Sequence, residues 1–240
     1  MRDHPILLVL QRVEELRGQR PVVVLDLDST LIDTAHRHLR IAREFCAEHP
    51  DTSLTPAIAA LTPSDVGWSV EDALAARGCA DARALAALRR YWSARFFQDA
   101  YCRDDLPTRG APELTRALWA RGATLCYLSA RPARTMGEGT LHALRRWGMP
   151  ALTARTVIYL KADPSQPDHA FKGGALDELD AMGTIAATFE NEPGHCNTFA
   201  ARFPDAVHVL VETCHSPTAP PLDPGVLRVR DLTAPPRADA

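Results

Sequence analysis

Pro21-Val22-Val23-Val24-Leu25 runs directly into Asp26-Leu27-Asp28-Ser29-Thr30, and no other stretch constrains the fold as strongly. Four branched apolar residues in a row after a proline read as a strand buried on both faces, which is the pattern of a parallel sheet. The run stops at two carboxylates two residues apart, which share a face while the strand persists. Like charges gathered at a strand's carboxyl end are costly unless a cation or an anionic reaction centre uses them, and ligands of open α/β sheets bind at that end. A polar turn with Ser29 and Thr30 capping the next helix would give the same five letters.

The rest of the chain separates these readings. Thr124-Leu125-Cys126-Tyr127-Leu128 ends at Ser129. Thr184 to Phe189 ends at Glu190-Asn191-Glu192. Lys172 sits in Ala170-Phe171-Lys172-Gly173-Gly174, ahead of a helical pattern marked by Leu176 and Leu179. An aspartate pair, a hydroxyl, a lysine and an acidic cluster, in that order, resemble the haloacid dehalogenase superfamily, in particular its phosphatase branch. The resemblance runs from about Val22 to Val211. One departure is visible: the family's last motif is usually aspartate-based, whereas this chain has Glu190-Asn191-Glu192.

With 240 residues the chain can bury a sizeable core, as one domain or one domain plus an insertion. A net charge of −3 gives no electrostatic basis for binding nucleic acid or anionic membrane. Ile6 to Leu10 is too short to span a bilayer. Ile6, Leu10, Val13 and Leu16 recur at helical spacing instead, so a helix is expected over residues 3–18. Six scattered cysteines with no Cys-x-x-Cys pair suit a reduced, cytoplasmic setting. His195-Cys196 and Cys214-His215 lack the tight paired spacing of zinc sites. Only Lys161 and Lys172 are lysines among 27 basic residues. A lysine at the motif position therefore points to a compact ammonium.

Between the first strand and Thr124 nearly everything reads helical. Helices are expected from Thr34 to about Glu48, around Pro56 to Leu61 and Val70 to Arg77, and from an Asp81 N-cap to about Asp99. A parallel crossover needs only about a dozen residues, so this interval is read as an all-helical cap inserted into an α/β core. The expected division is a core of residues 1–33 and 107–240 with a cap over 34–106. From Thr124 onward strands near Thr156–Leu160, Thr184–Phe189 and Ala206–Val211 alternate with helices near Leu141–Trp147, Ala175–Met182 and Cys196–Arg202. That is a doubly wound, mostly parallel sheet. The proline-rich stretch after Thr213 is expected to wrap the surface or fray.

The resemblance implies residue roles. Asp26 would be the nucleophile, forming an aspartyl-phosphate, and Asp28 the acid and base. Ser129 and Lys172 would hold the phosphoryl group, with backbone and side chains of Leu27, Thr30, Ala130 and Arg131 around it. Arg131 reads equally as a surface arginine. Magnesium would bind at Asp26, the Asp28 carbonyl and Glu190, with Asn191 and Glu192 as second choices. The implied activity is hydrolysis of a small soluble phosphate ester, with no nucleic acid or membrane partner and the oligomeric state open. Arg37, Arg40, Arg43 and Arg95 would favour a substrate with a further negative charge. A phosphotransferase or sugar-phosphate mutase, or a non-catalytic phosphate-binding protein, would use the same residues.

Overall fold

The computed structural model describes residues 4–235. The chain runs through α1 (Pro5–Glu15), β1 (Pro21–Leu25), β2 (Ile32–Asp33), α2 (Ala35–Glu48), α3 (Thr55–Ala59), α4 (Val70–Ala75), α5 (Ala82–Phe96), α6 (Asp99–Cys102), β3 (Leu106–Pro107), α7 (Ala111–Ala120), β4 (Thr124–Pro132) and α8 (Ala133–Arg146). It continues through β5 (Thr156–Lys161), α9 (Asp168–Gly174), α10 (Leu176–Met182), β6 (Thr184–Glu190), α11 (Pro193–Arg202), β7 (Val207–Val211) and β8 (Leu227–Val229).

All five residues of β1 are buried, and their partners explain the unbroken apolar run. Val23 and Leu25 face the core formed with α1 and α7, while Val22 and Val24 face the one formed with α9, α10 and α11. Alternation thus persists, but both faces are covered. The six-stranded sheet has the order β5-β4-β1-β6-β7-β8, and every pairing in it is parallel. From β1 the chain moves outward through β4 and β5, then returns to β6 on the other side of β1. The carboxyl ends of β1 and β6 therefore flank the switch point where such sheets bind ligands.

The interval between β2 and β3 is helical and has its own apolar cluster, in which Leu39, Ile41, Phe45, Leu74, Leu88 and Phe96 are buried. It is tied to the sheet through the antiparallel β2–β3 ladder, Ile32 opposite Pro107 and Asp33 opposite Leu106. Asp81 caps α5 as its sequence suggests, its side chain accepting from the Ala84 amide.

Several expectations need correction. The first helix covers Pro5–Glu15, and Asp3 lies outside the described residues. It buries Val9 in place of the half-buried Leu10. α8 begins at Ala133, eight residues before the expected Leu141, and runs through Gly137 and Gly139. A Cβ on Gly139 would lie 2.8 Å from the Asp99 carbonyl oxygen, so this glycine lets α6 pack against α8. The tail does more than wrap: β8 extends the sheet beside β7, and Val226 and Leu232 are buried. The prolines lie outside the β8 residues, as a strand requires; Pro236 lies outside the described residues.

Candidate active site

Asp26 is the first residue beyond β1, and its amide still donates to the Phe189 carbonyl of β6. Then the backbone turns. The Leu27 carbonyl accepts from the amides of Thr30, Leu31 and Ile32, and Ser29 takes φ of 61°. This turn separates the two carboxylates that strand geometry alone would have kept together. Asp26 points to one set of partners and Asp28 to another.

Lys172 Nζ donates to Asp26 Oδ1 at 2.7 Å and to Glu190 Oε2 at 2.6 Å, so one buried ammonium bridges two buried carboxylates. Thr30 Oγ1 donates to Asp26 Oδ2 at 2.8 Å and lies 3.2 Å from Asn191 Oδ1. The other Glu190 oxygen accepts from the amides of Asn191 and Glu192, each at 3.3 Å, and lies 3.6 Å from His195 Nδ1. Burial and the Glu190 charge push the Asp26 carboxyl up to about 6, despite Lys172 and Thr30. Burial acts upward on Glu190 as well, but Lys172 and His195 outweigh it and hold this carboxyl at about 2. Burial would lower the Lys172 ammonium; Asp26 and Glu190 overcome this and raise it. The pair therefore takes up its first proton on Asp26, the carboxylate with fewer donors.

Asp28 belongs to a different network. Arg131 Nε donates to both of its oxygens at 3.1 Å, and Arg37 Nη2 lies 3.6 Å away. Arg131 Nη2 also reaches Asp105 Oδ2 at 2.8 Å, and Arg37 Nε reaches Asp105 Oδ1 at 2.8 Å. Burial pushes the Asp28 carboxyl up, but Arg131 and Arg37 prevail and hold it at about 2. Arg131 is thus neither a surface residue nor free. Ser129 does not end its strand, since β4 runs on to Pro132; it is buried opposite Leu160 of β5, and its Oγ accepts from the Arg131 amide at 3.3 Å. Leu27 is wholly buried in the core, and Ala130 is half-buried against the cluster around α9 to α11.

The other arginines expected to meet substrate are occupied among the helices. Arg40 pairs with Glu44 and Asp104, Arg43 donates to the Leu61 carbonyl, and Arg95 lies over the Tyr91 ring. Both lysines are buried: Lys161 pins the turn before α9 through Asp168 at 2.7 Å and the Gln166 carbonyl at 3.0 Å. Sequence reading missed Asp105 and Thr140, which hold the arginines, and the contacts of Thr213 and Cys214 with Ser29. Nothing in the local sequence marks the partners of Asp105, 68 and 26 residues away.

No group of three or more His, Cys, Asp or Glu side chains among the described residues is placed to hold a metal ion. The oxygens brought together at this site are the Asp26 and Glu190 carboxylates, both hydrogen-bonded to Lys172 Nζ, and the Asn191 amide oxygen, 3.2 Å from Thr30 Oγ1. Two carboxylates around one ammonium leave a net negative charge in a dry site, and hard oxygen donors suit magnesium. A hollow of about 460 Å³ between Gln19, Arg20, Asp180, Gly183 and Arg202 lies at the opposite end of the sheet and contains none of these residues.

Solved structures share this architecture. A HAD-superfamily hydrolase from Ehrlichia chaffeensis matches with a TM-score of 0.50 at 13% identity, over 89% of this chain and 93% of that one. A protein described as a haloacid dehalogenase-like hydrolase from Burkholderia xenovorans matches at 0.51 and 16%, over 88% and 93%. The chain has the haloacid dehalogenase fold. Protein Tyrosine Kinase A of Mycobacterium tuberculosis is also similar, at 0.51 and 18% identity over 88% of this chain and 93% of that one. No protein-family model and no curated protein matches the chain. Among the described residues no helix is long and apolar enough to cross a membrane.

Proposed function

We propose that the chain is a magnesium-dependent phosphomonoester hydrolase acting through an aspartyl-phosphate on Asp26. The observation that carries this reading is the bridge from Lys172 to Asp26 and Glu190 at the sheet's switch point, with Thr30 on the second Asp26 oxygen. Such a carboxylate is oriented, dry and close to a fixed cation. Phosphoryl transfer asks for that combination, because its transition state spreads charge over the equatorial oxygens.

Asp26 attacks phosphorus, an Asp26–phosphorus bond forms, and the ester oxygen leaves with its electron pair. Water then attacks the aspartyl-phosphate, and orthophosphate and the Asp26 carboxylate are regenerated. Ser129 donates to a phosphoryl oxygen and Lys172 balances the added charge. Asp28, a carboxylate while it faces Arg131 and Arg37, takes up a proton from solvent on turning away from them and gives it to the departing oxygen. The carboxylate so formed then takes a proton from the attacking water, which restores its protonated form for the next turnover. Asp26, the Asp28 carbonyl and Glu190, with Asn191 beside them, would hold magnesium, which when bound supplies the further positive charge that two carboxylates and a phosphate dianion require. The helices between β2 and β3, residues 34–106, would act as a cap that excludes water and admits a small soluble ester.

Transfer of the phosphoryl group to a hydroxyl acceptor would use the same Asp26, and the mycobacterial neighbour is named a kinase. Release of orthophosphate from p-nitrophenyl phosphate and a panel of phosphorylated metabolites, with magnesium and no acceptor but water, decides for hydrolysis. Its absence across the panel, or its persistence in Asp26→Asn, would overturn the reading.

A further inference from the structure

Outside the Lys172 bridge, the most deeply buried charges are the guanidiniums of Arg37 and Arg131 and the carboxylate of Asp105. The arginines are held from behind. Arg37 Nη1 donates to the Phe96 carbonyl at 3.4 Å, and its guanidinium lies 4.5 Å from the Phe96 ring centre. Arg131 Nη1 donates to Thr140 Oγ1 at 3.0 Å, and both arginines share Asp105. Asp28 completes the network and differs from its partners in one respect. Its side chain keeps 30% exposure, against 0–1% for the other three. The network opens to solvent through the Asp28 carboxylate alone.

Two guanidiniums face two carboxylates while Asp28 is in place. When Asp28 turns toward a departing ester oxygen, the Arg131 fork loses its partner and one buried positive charge is left unmatched. Such a charge is strongly destabilising unless another anion takes the place. The vacated fork is planar and has just held a carboxylate, the shape guanidinium recognises with two parallel hydrogen bonds.

We propose that Arg131 and Arg37 form a carboxylate subsite whose resident occupant is Asp28, and that the substrate is the phosphate monoester of a small hydroxy acid. This rests on the phosphatase reading above. The phosphate meets Asp26 and the substrate carboxylate enters the fork. Asp28 is thereby displaced toward the ester oxygen lying between them, so only a substrate bearing the second charge releases it cleanly. Asp105 positions both arginines and does not touch substrate.

The test compares 2-phospholactate with its isosteric amide, which differs by a single charge, alongside p-nitrophenyl phosphate. The acid should exceed the amide in kcat/KM by roughly tenfold to a hundredfold, the range of a charged hydrogen-bonded pair. The preference should collapse in Arg37→Gln. If that variant does not fold, Arg37→Lys, which keeps the charge and loses the planar guanidinium, should reduce it, and an undiminished preference there would count against the subsite. Titration calorimetry on Asp26→Asn should give the same order of affinities without turnover. Equal kcat/KM for acid and amide, with p-nitrophenyl phosphate still hydrolysed, would sink the subsite and leave the phosphatase standing. If no ester is hydrolysed the phosphatase reading falls, and the calorimetric comparison alone then judges the subsite: equal affinities refute it.

Discussion

Replacing Asp26 with asparagine should stop turnover and make the protein more stable. Burial and Glu190 raise the Asp26 carboxyl from 3.8 to about 6. Each pKa unit is about 1.4 kcal/mol, so the ionised side chain at pH 8 costs roughly 3 kcal/mol relative to its neutral form. Asparagine is neutral and nearly the same shape, and its hydrogen bonds can be met. Lys172 still donates to its Oδ1. Its Nδ2 donates to Thr30 Oγ1, whose own proton turns to Asn191 Oδ1, already 3.2 Å away. The gain should be about 1–3 kcal/mol, or roughly 2–10 °C in Tm for a chain of this length. The sign of its pH dependence is fixed. A carboxyl whose folded pKa is raised stabilises below its unfolded value and loses that contribution as pH rises through about 6. The advantage of Asp26→Asn is therefore full at pH 8 and should fall by about half at pH 5. Calorimetric melting of both proteins in chelator at the two pH values tests this. A variant no more stable than the parent at pH 8, or equally favoured at both, would refute the electrostatic account.

Chelation should abolish phosphate release and magnesium or manganese should restore it. The ion should also raise the Tm of the parent more than that of Asp26→Asn, as melting curves with and without metal would record. Lys172→Met leaves Asp26 and Glu190 facing each other unpaired, and should lose activity and about 3–5 kcal/mol of stability in denaturant titrations at pH 8. His38 is buried, and burial and Arg37 lower its imidazole to about 4. The unfolded chain takes up this proton first, so stability should fall by about 3 kcal/mol between pH 6.5 and pH 4, and His38→Gln should flatten that part of the profile. Gly139→Val should cost about 1–3 kcal/mol by thermal melting, because its side chain meets Asp99 backbone.

The sheet was legible because its strands are apolar on both faces and stop abruptly at polar residues; β1, β6 and β7 fall within one residue of where periodicity puts them. Asp26, Thr30, Lys172 and Glu190 were named from the motif order that resembles the haloacid dehalogenase superfamily; strand ends account for Asp26 and Glu190, whereas Lys172 reaches them from inside α9 and Thr30 from the turn. What escaped was set by long-range pairing. Arg37 reads in sequence as one of four arginines expected to face substrate and Asp105 carries no signal of its own, and only the closing of β2 on β3 puts them against Arg131 and Asp28. The turn at Ser29 stood in the sequence only as the alternative to a continuing strand: the two-residue rule for side-chain direction holds on a strand, and the strand ends at Leu25.

The two-residue ladder of β2 and β3 has a consequence for how such a chain can diversify. The helical segment leaves the sheet and rejoins it at neighbouring points, so a short turn could bridge the gap at little entropic cost. Arg37 and Asp105 both lie beyond the ladder on the helical side, and Asp28 and Arg131 both lie on the sheet side. Cutting the segment out would remove one charge of each sign and leave the Asp28–Arg131 pair intact. Exchange of the helices is therefore charge-neutral for the buried network, and under the proposed function recombination at this ladder would alter selectivity without removing Asp26, Asp28, Lys172 or Glu190.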